Sequence, residues 1–212
     1  MSNSIFDHEK MYTYLRGFAN ALGLEETLRA LSFAREKHGG QLRKSGDPYI
    51  VHPLTMACNA VSMGIKDDVT LAAILLHDVC EDCGVGVSEL PVSQEVRHVV
   101  ELMTFRVQEG ETKDSAKTRY YGMILQSREA SLTKLIDRCQ NVSSMAGVFS
   151  EEKLLAYIEE TRSYVLPLLR KAKNLYPQDS DIFFLLKYHI VSVVDSIEAT
   201  MRVYLKSGGE EK

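Results

Sequence analysis

His77 and Asp78 stand side by side at the end of an apolar run, Leu71-Ala72-Ala73-Ile74-Leu75-Leu76, and Glu81 and Asp82 follow one turn later. Burying an imidazole beside a carboxylate is costly unless each is hydrogen-bonded, paired or bound to a metal. If the helix continues through the pair, Asp78 shares a face with Glu81 and Asp82, at i+3 and i+4, so three carboxylates converge beside one histidine. That concentration of negative charge calls for a cation.

Other residues are suggestive only in combination. Arg43, Lys44 and Ser45 form a compact basic stretch bracketed by Gly39-Gly40 and Gly46-Asp47-Pro48, which by itself reads as a solvated loop or a ligand loop. His52 precedes Pro53 at the start of a helix and alone reads as a cap or a core histidine as readily as a ligand. Asp137 and Asn141 lie four apart on one helical face, where Asp137 has Lys134 and Arg138 as alternative ion-pair partners. Cys80-x-x-Cys83 has redox or zinc-like spacing, but no second pair completes a structural zinc site, and both cysteines read as small packing residues.

The elements that must position these groups are helical throughout. Asp7 caps an amphipathic helix to Ala21, with Met11, Tyr14, Leu15, Phe18 and Leu22 as its apolar stripe, and Gly23 closes it. Glu25 to Lys37 restarts the pattern, with an acidic start and a basic end that suit the helix dipole. An irregular loop from His38 to Val51 leads to a helix ending near Met63, and Asp67 or Asp68 caps the central helix that carries His77. Ser93 starts another helix, the polar stretch from Phe105 to Thr118 reads as a surface segment able to act as a lid, and Tyr120 to Gln126 forms a short helical piece. Ala130 to Met145, Glu151 to Tyr176 with a kink at Pro167, and Ser180 to Lys206 complete the pattern. No useful strand alternation and no internal repeat is present, so the expected fold is an all-α bundle. Residues 1–206 are expected to form a single domain with C-terminal helices, and 207–212 a disordered polar tail.

Composition narrows the function. The 212 residues are 45% hydrophobic and 25% charged, ordinary for a soluble globular chain, and the net charge of −4 disfavours a nucleic-acid polymer as partner. The N-terminus lacks a signal-peptide pattern, and the longest apolar run is too short to span a bilayer, so no membrane partner is expected. Four irregularly spaced cysteines fit a reducing compartment, and the expected location is the cytoplasm.

Taken together, His77-Asp78-x-x-Glu81-Asp82 is the HDxxED form of the HD phosphohydrolase motif. Three blocks, Gly40 to Pro53 (GQLRKSGDPYIVHP), His77 to Asp82 (HDVCED) and Lys134 to Asn141 (KLIDRCQN), occur in the order found in the hydrolase domain of the RelA/SpoT alarmone enzymes, and the chain resembles that domain over roughly residues 25–175. The resemblance implies an HD-domain helical bundle that removes the 3′-pyrophosphate of ppGpp or pppGpp, releasing GDP or GTP, with a bound manganese ion. By matching positions it implies His52, His77, Asp78 and Asp137 as the metal ligands. Two imidazoles and two carboxylates suit Mn²⁺, Fe²⁺ or Zn²⁺ equally by ligand type, and manganese follows from the resemblance.

The implied mechanism is attack of a metal-activated water on the phosphorus attached to the ribose 3′ oxygen. Glu81 and Asp82 would orient or deprotonate the water and protonate the leaving group, in an order the residues leave open. Arg43, with Lys44 and Ser45 beside it, is implied to meet the guanine or a phosphate, and Asn141 the ribose and base, since a guanidinium both stacks on a base and forks onto phosphate oxygens. Cys83 departs from the threonine common after the Glu-Asp pair, without removing a ligand. With Lys212 as its last residue, the chain is expected to lack the synthetase and regulatory domains of the long enzymes. The expectation is therefore a stand-alone small alarmone hydrolase, a branch for which NADPH is an alternative substrate. A non-catalytic nucleotide sensor is the competing reading from a different class.

Overall fold

A computed structural model describes residues 7–207. The chain divides into two compact units, Met1–Asp137 and Arg138–Lys212. Among the described residues there are helices and a single isolated β-bridge, Leu42 to Pro48, and no strand. The fold is an all-α bundle, as expected. No described helix is long and apolar enough to cross a membrane.

The first unit opens with α1 (His8–Leu22), where the Asp7 carboxylate accepts from the amides of Glu9 and Lys10 at 3.1 and 3.2 Å. Gly23, at φ 69°, ends it in the left-handed region that a Cβ disfavours. The buried stripe of α1 is narrower than expected. Leu15 and Ala19 are fully buried, whereas Tyr14 and Leu22 are 51% and 46% exposed.

Next come α2 (Glu25–Lys37), α3 (Val51–Ser62) and α4 (Asp68–Leu76). Every residue of α4 from Thr70 to Leu76 is fully buried, because α2, α3 and α6 (Gln94–Met103) pack around it. An all-round apolar sequence has no solvated face to offer, so it takes the middle of the bundle.

The two candidate caps of α4 have different tasks. Asp67 accepts from the Thr70 amide at 2.8 Å and caps α4 itself. Asp68 reaches across to α2, whose own N-cap residue, Leu24, has no capping side chain. There its carboxylate accepts from the amides of Glu26 and Thr27 at 3.0 and 2.7 Å and from Thr27 Oγ1 at 2.7 Å. A tertiary contact thus satisfies helix-terminal donors that local sequence leaves open.

The central helix does not run unbroken through the His-Asp pair. His77 and Asp78 form a turn between α4 and the short α5 (Val79–Asp82), with Asp78 at φ −100° and ψ −9°. The His77 Nδ1–H donates to the Ile74 carbonyl at 2.8 Å, holding the imidazole against the end of α4. Past the turn, the Asp82 amide donates to the Asp78 carbonyl at 2.8 Å and regular helix resumes.

The polar stretch after Phe105 is also more ordered than its composition suggests. Helix α7 (Lys113–Ile124) begins at Lys113, where Thr112 accepts from the Ser115 amide at 3.1 Å, so the helical piece expected from Tyr120 starts seven residues earlier. Tyr120 is buried and donates its hydroxyl to the Met103 carbonyl at 2.8 Å, anchoring α7 to the end of α6. Helix α8 (Arg128–Met145) follows, and the division between the units falls within it.

In the second unit, α9 (Glu151–Glu160) passes through a π-helical turn, Thr161–Val165, into α10 (Leu166–Leu175). The expected kink at Pro167 is realised as this wider turn just before it, since proline supplies no amide to the preceding turn. Arg138 is buried there, its guanidinium 3.9 Å from the Tyr157 ring centroid and donating to Thr161 Oγ1 at 3.2 Å. The last helix, α11 (Ser180–Ser207), includes Ser207, which the sequence placed in the tail. Residues 208–212 of that tail lie outside the described residues.

Candidate metal centre and active site

Three elements bring the buried polar groups together in the first unit. α3 supplies His52 in its first turn, the turn after α4 supplies His77 and Asp78, and α8 supplies Asp137. His52 and His77 are each 2% exposed, and Asp137 is 6% exposed, which rules out solvation by bulk water as their compensation.

The two imidazoles point the same type of atom at each other, with His52 Nε2 and His77 Nε2 3.2 Å apart. Asp78 Oδ2 lies 3.0 Å from His77 Nε2 and 3.6 Å from His52 Nε2. Asp137 Oδ1 lies 3.4 Å from His52 Nε2 and 3.8 Å from His77 Nε2. Donor atoms of His52, His77 and Asp78 all fall within 4.8 Å of one another, close enough to hold one metal ion. Because a carbonyl only accepts, the bond to Ile74 places the His77 proton on Nδ1 in the neutral ring. Its Nε2 lone pair then faces a second imidazole and two carboxylates. Such an arrangement repels itself unless a proton or a cation sits in the middle, so the donor set fits a divalent metal.

The ionisation preferences follow from this geometry. Burial works against charge on His77, but the adjacent Asp78 carboxylate and then Asp137 outweigh it and raise the imidazole pKa to about 9. Burial also works against charge on Asp78, and His77 beside it nevertheless holds that carboxyl well below the usual carboxylate range. For Asp137 the same contest is won first by Lys134, with help from both histidines. Lys134 Nζ reaches Asp137 Oδ2 at 3.1 Å, leaving Oδ1 turned toward the imidazoles. The ion pair and the ligand reading of Asp137 are therefore compatible, one oxygen for each.

Sequence reasoning gave Tyr49 no firm role, and the structure gives it a specific contact. Its hydroxyl donates to Asp78 Oδ2 at 2.6 Å, and its ring stacks on buried His38 with centroids 4.7 Å apart. Burial and the Asp78 carboxylate keep this phenol protonated, hence a donor. Its place between Pro48 and the His52 helix was the available signal.

Glu81 and Asp82 lie on α5 and are exposed. The Phe105 amide donates to Glu81 Oε1 at 2.6 Å, fixing one carboxylate oxygen. Partial desolvation raises the Glu81 pKa against that hydrogen bond, with Asp78 adding to the rise. The Cys80 and Cys83 thiols are free, with pKa values pushed up by burial, as packing residues would be and unlike an activated redox pair.

The loop carrying Arg43, Lys44 and Ser45 is a hydrogen-bonded turn and not an irregular connection. Arg43 N donates to the Asp47 carbonyl at 2.8 Å, Gly46 N to the Arg43 carbonyl at 2.9 Å, and Tyr49 N to the Gln41 carbonyl at 2.8 Å. Gly46 sits at φ 88°, a conformation that side chains disfavour. Lys44 and Ser45 are exposed, and Ser45 donates to Asp47 Oδ2 at 3.0 Å. The turn feeds directly into Tyr49 and His52, so the basic stretch is tied by its backbone to the buried cluster. Asn141 is further along α8, in the second unit.

The chain is similar to the guanosine-3′,5′-bis(diphosphate) 3′-pyrophosphohydrolase of Aquifex aeolicus, 38% identical over 152 residues that cover 69% of this chain and 21% of the relative. The Vibrio cholerae protein of the same name is 32% identical over 157 residues, covering 70% of this chain and 22% of the relative. A probable GTP pyrophosphokinase of Mycobacterium leprae is 34% identical over 148 residues, covering 68% and 19% respectively. The chain thus spans about a fifth of the length of these curated relatives. Among solved structures, one described as "A metazoan ortholog of SpoT hydrolyzes ppGpp and plays a role in starvation responses" shares the fold, with a TM-score of 0.61 at 21% identity over 81% of this chain and 94% of that one. The profile of the HD domain matches residues 30–171, a span that takes in His52, His77, Asp78 and Asp137, and the chain belongs to the HD domain family.

Proposed function

We propose that this chain is a manganese-dependent pyrophosphohydrolase that removes the 3′-pyrophosphate of ppGpp or pppGpp, with GDP or GTP and pyrophosphate as products. The observation that carries the reading is the buried convergence of His52, His77, Asp78 and Asp137 beside the exposed acids of α5. The names borne by the Aquifex aeolicus and Vibrio cholerae relatives support the choice of bond and substrate. In this reading His52, His77, Asp78 and Asp137 hold the ion, which when bound lowers the pKa of water and neutralises charge on the phosphoryl oxygens.

The chain's own residues supply the rest. The Phe105 amide fixes Glu81 for proton transfer, and its raised pKa brings the carboxyl closer to neutrality, where a general base or acid works best. Glu81 and Asp82 share the two proton movements, one taking a proton from water and the other giving one to the departing 3′ oxygen. Water adds across the P–O bond, so ppGpp and water give GDP and pyrophosphate. Arg43, Lys44, Ser45 and Asn141 bind the nucleotide, a role that rests on the resemblance of their sequence blocks. The family match crosses the division after Asp137, which supports treating residues 1–206 as one hydrolase domain, and we place it in the cytoplasm with no nucleic-acid or membrane partner.

The test is to strip the purified protein of metal, add ppGpp with and without Mn²⁺, and separate products by anion exchange. GDP and pyrophosphate appearing only with metal is the expected result. Binding of ppGpp without turnover would replace the enzyme by a sensor, and turnover of NADPH equal to or better than ppGpp would replace the substrate.

A further inference from the structure

Within the second unit, α10 buries Leu168, Leu169 and Ala172, and α11 buries Phe183, Leu186, Ile190 and Val194. Each helix also turns another stripe into an open groove of about 580 Å³ between them. From α10 come Leu166, Arg170 and Lys173, at i, i+4 and i+7, and from α11 come Phe184, Tyr188 and Val191 at the same spacing, with Lys187 beside them. Phe184 and Tyr188 are 60% and 68% exposed, a large aromatic surface left to water on a helix whose other face is well packed.

Two adjacent helices that both present such stripes form the receiving surface for a third helix, whose side chains would enter between theirs. Charge selects the kind of helix. Arg170, Lys173 and Lys187 make no ion pair among the described residues, and no carboxylate lines the groove. A second copy docking across a two-fold axis would set these cations against their own equivalents, so self-association is disfavoured. We propose that the α10–α11 groove docks an acidic amphipathic helix of a partner protein, with aliphatic side chains between Phe184 and Tyr188 and carboxylates on Arg170, Lys173 and Lys187. The proposal is independent of the catalytic reading, since none of these residues belongs to the metal cluster.

The test uses the full chain and a fluorescein-labelled helical peptide of about 20 residues, with Leu at i, i+4 and i+7 and Glu flanking them. A matched peptide carries Lys in place of every Glu. Saturable anisotropy binding of the Glu peptide is expected, weakened at least tenfold by Lys187→Glu, by Tyr188→Glu and by high salt, with the Lys peptide failing to bind. The double variant Lys173→Glu/Lys187→Glu should reverse the preference and take the Lys peptide, a gain that misfolding could not produce. Circular dichroism and metal-dependent turnover should be unchanged in these variants. The proposal is overturned if the wild-type chain fails to bind the Glu peptide, or binds both peptides equally. It is equally overturned if the chain binds anionic phosphatidylserine vesicles but not the peptide, or forms a dimer in light scattering that Tyr188→Glu dissociates.

Discussion

Metal uptake by the metal-free protein should release a proton from His77, and its affinity should follow that proton. With the imidazole pKa raised to about 9 by Asp78 and Asp137, His77 is protonated at neutral pH, and the proton occupies the Nε2 position that a metal needs. Removing it at pH 7 costs about 3 kcal/mol, two pH units at about 1.4 kcal/mol each. Apparent affinity should therefore rise about tenfold per pH unit from pH 6.5 toward 9. Calorimetry of Mn²⁺ binding in buffers of different ionisation enthalpy measures the number directly, and release of close to one proton at pH 7 is expected. The same shift fixes the stability of the metal-free chain. A group whose folded pKa is raised stabilises fully below its unfolded value of about 6.5, and that stabilisation, about 3 kcal/mol here, is lost as pH rises through about 9. Metal-free protein should thus melt progressively lower across that window, whereas saturating Mn²⁺ should abolish the decline. Affinity that is independent of pH between 6.5 and 8.5, with no proton released, would refute the assignment of His77 as the charged member of the cluster.

Further expectations concern single side chains. Asp78→Ala should lose both bound metal, read by elemental analysis, and turnover, whereas Glu81→Gln should keep the metal and slow turnover by about 10²-fold or more; retention of full activity by either variant contradicts its role. Tyr49→Phe removes the hydroxyl that orients Asp78 and should weaken Mn²⁺ binding about tenfold in a correctly folded protein, an idea sunk by unaltered affinity. Arg43→Ala should mainly raise KM, and a normal KM with a lowered kcat would move Arg43 out of substrate binding. Asp68→Ala, far from the chemistry in role, should lower the urea stability by about 1–3 kcal/mol because it strips the cap from α2.

Much of this protein is legible in its sequence where the cause is local. Asp7 and Gly23 bound α1 because one carboxylate meets two amides and one glycine accepts a left-handed turn. The all-round apolar run at Leu71 to Leu76 announces the buried centre of the bundle, and the neighbouring His-Asp pair announces a polar cluster, since groups buried there need a hydrogen-bond, ion-pair or metal partner. Where a local signal was misread, a distant partner was responsible. The polar composition of 113–118 hides helix because α7 is anchored through Tyr120 to Met103 and not through its own solvated turns.

Tertiary structure alone decided which carboxylate serves which partner. Residue order cannot distinguish Asp67 from Asp68 as a cap, and folding assigns one to α4 and the other to α2, more than forty residues away in the chain. Nor can it say that Asp137 divides its oxygens between Lys134 and the histidines, or that Tyr49 reaches Asp78. The sequence by itself determined the helical class and the central buried helix, because these follow from periodicity and the cost of burying polar groups, whereas the candidate ligands came from the resemblance of three sequence blocks to a known family. The meeting of His52, His77, Asp78 and Asp137 belongs to the packed bundle, because atoms separated by tens of residues come within hydrogen-bonding range only when the helices carrying them are packed together.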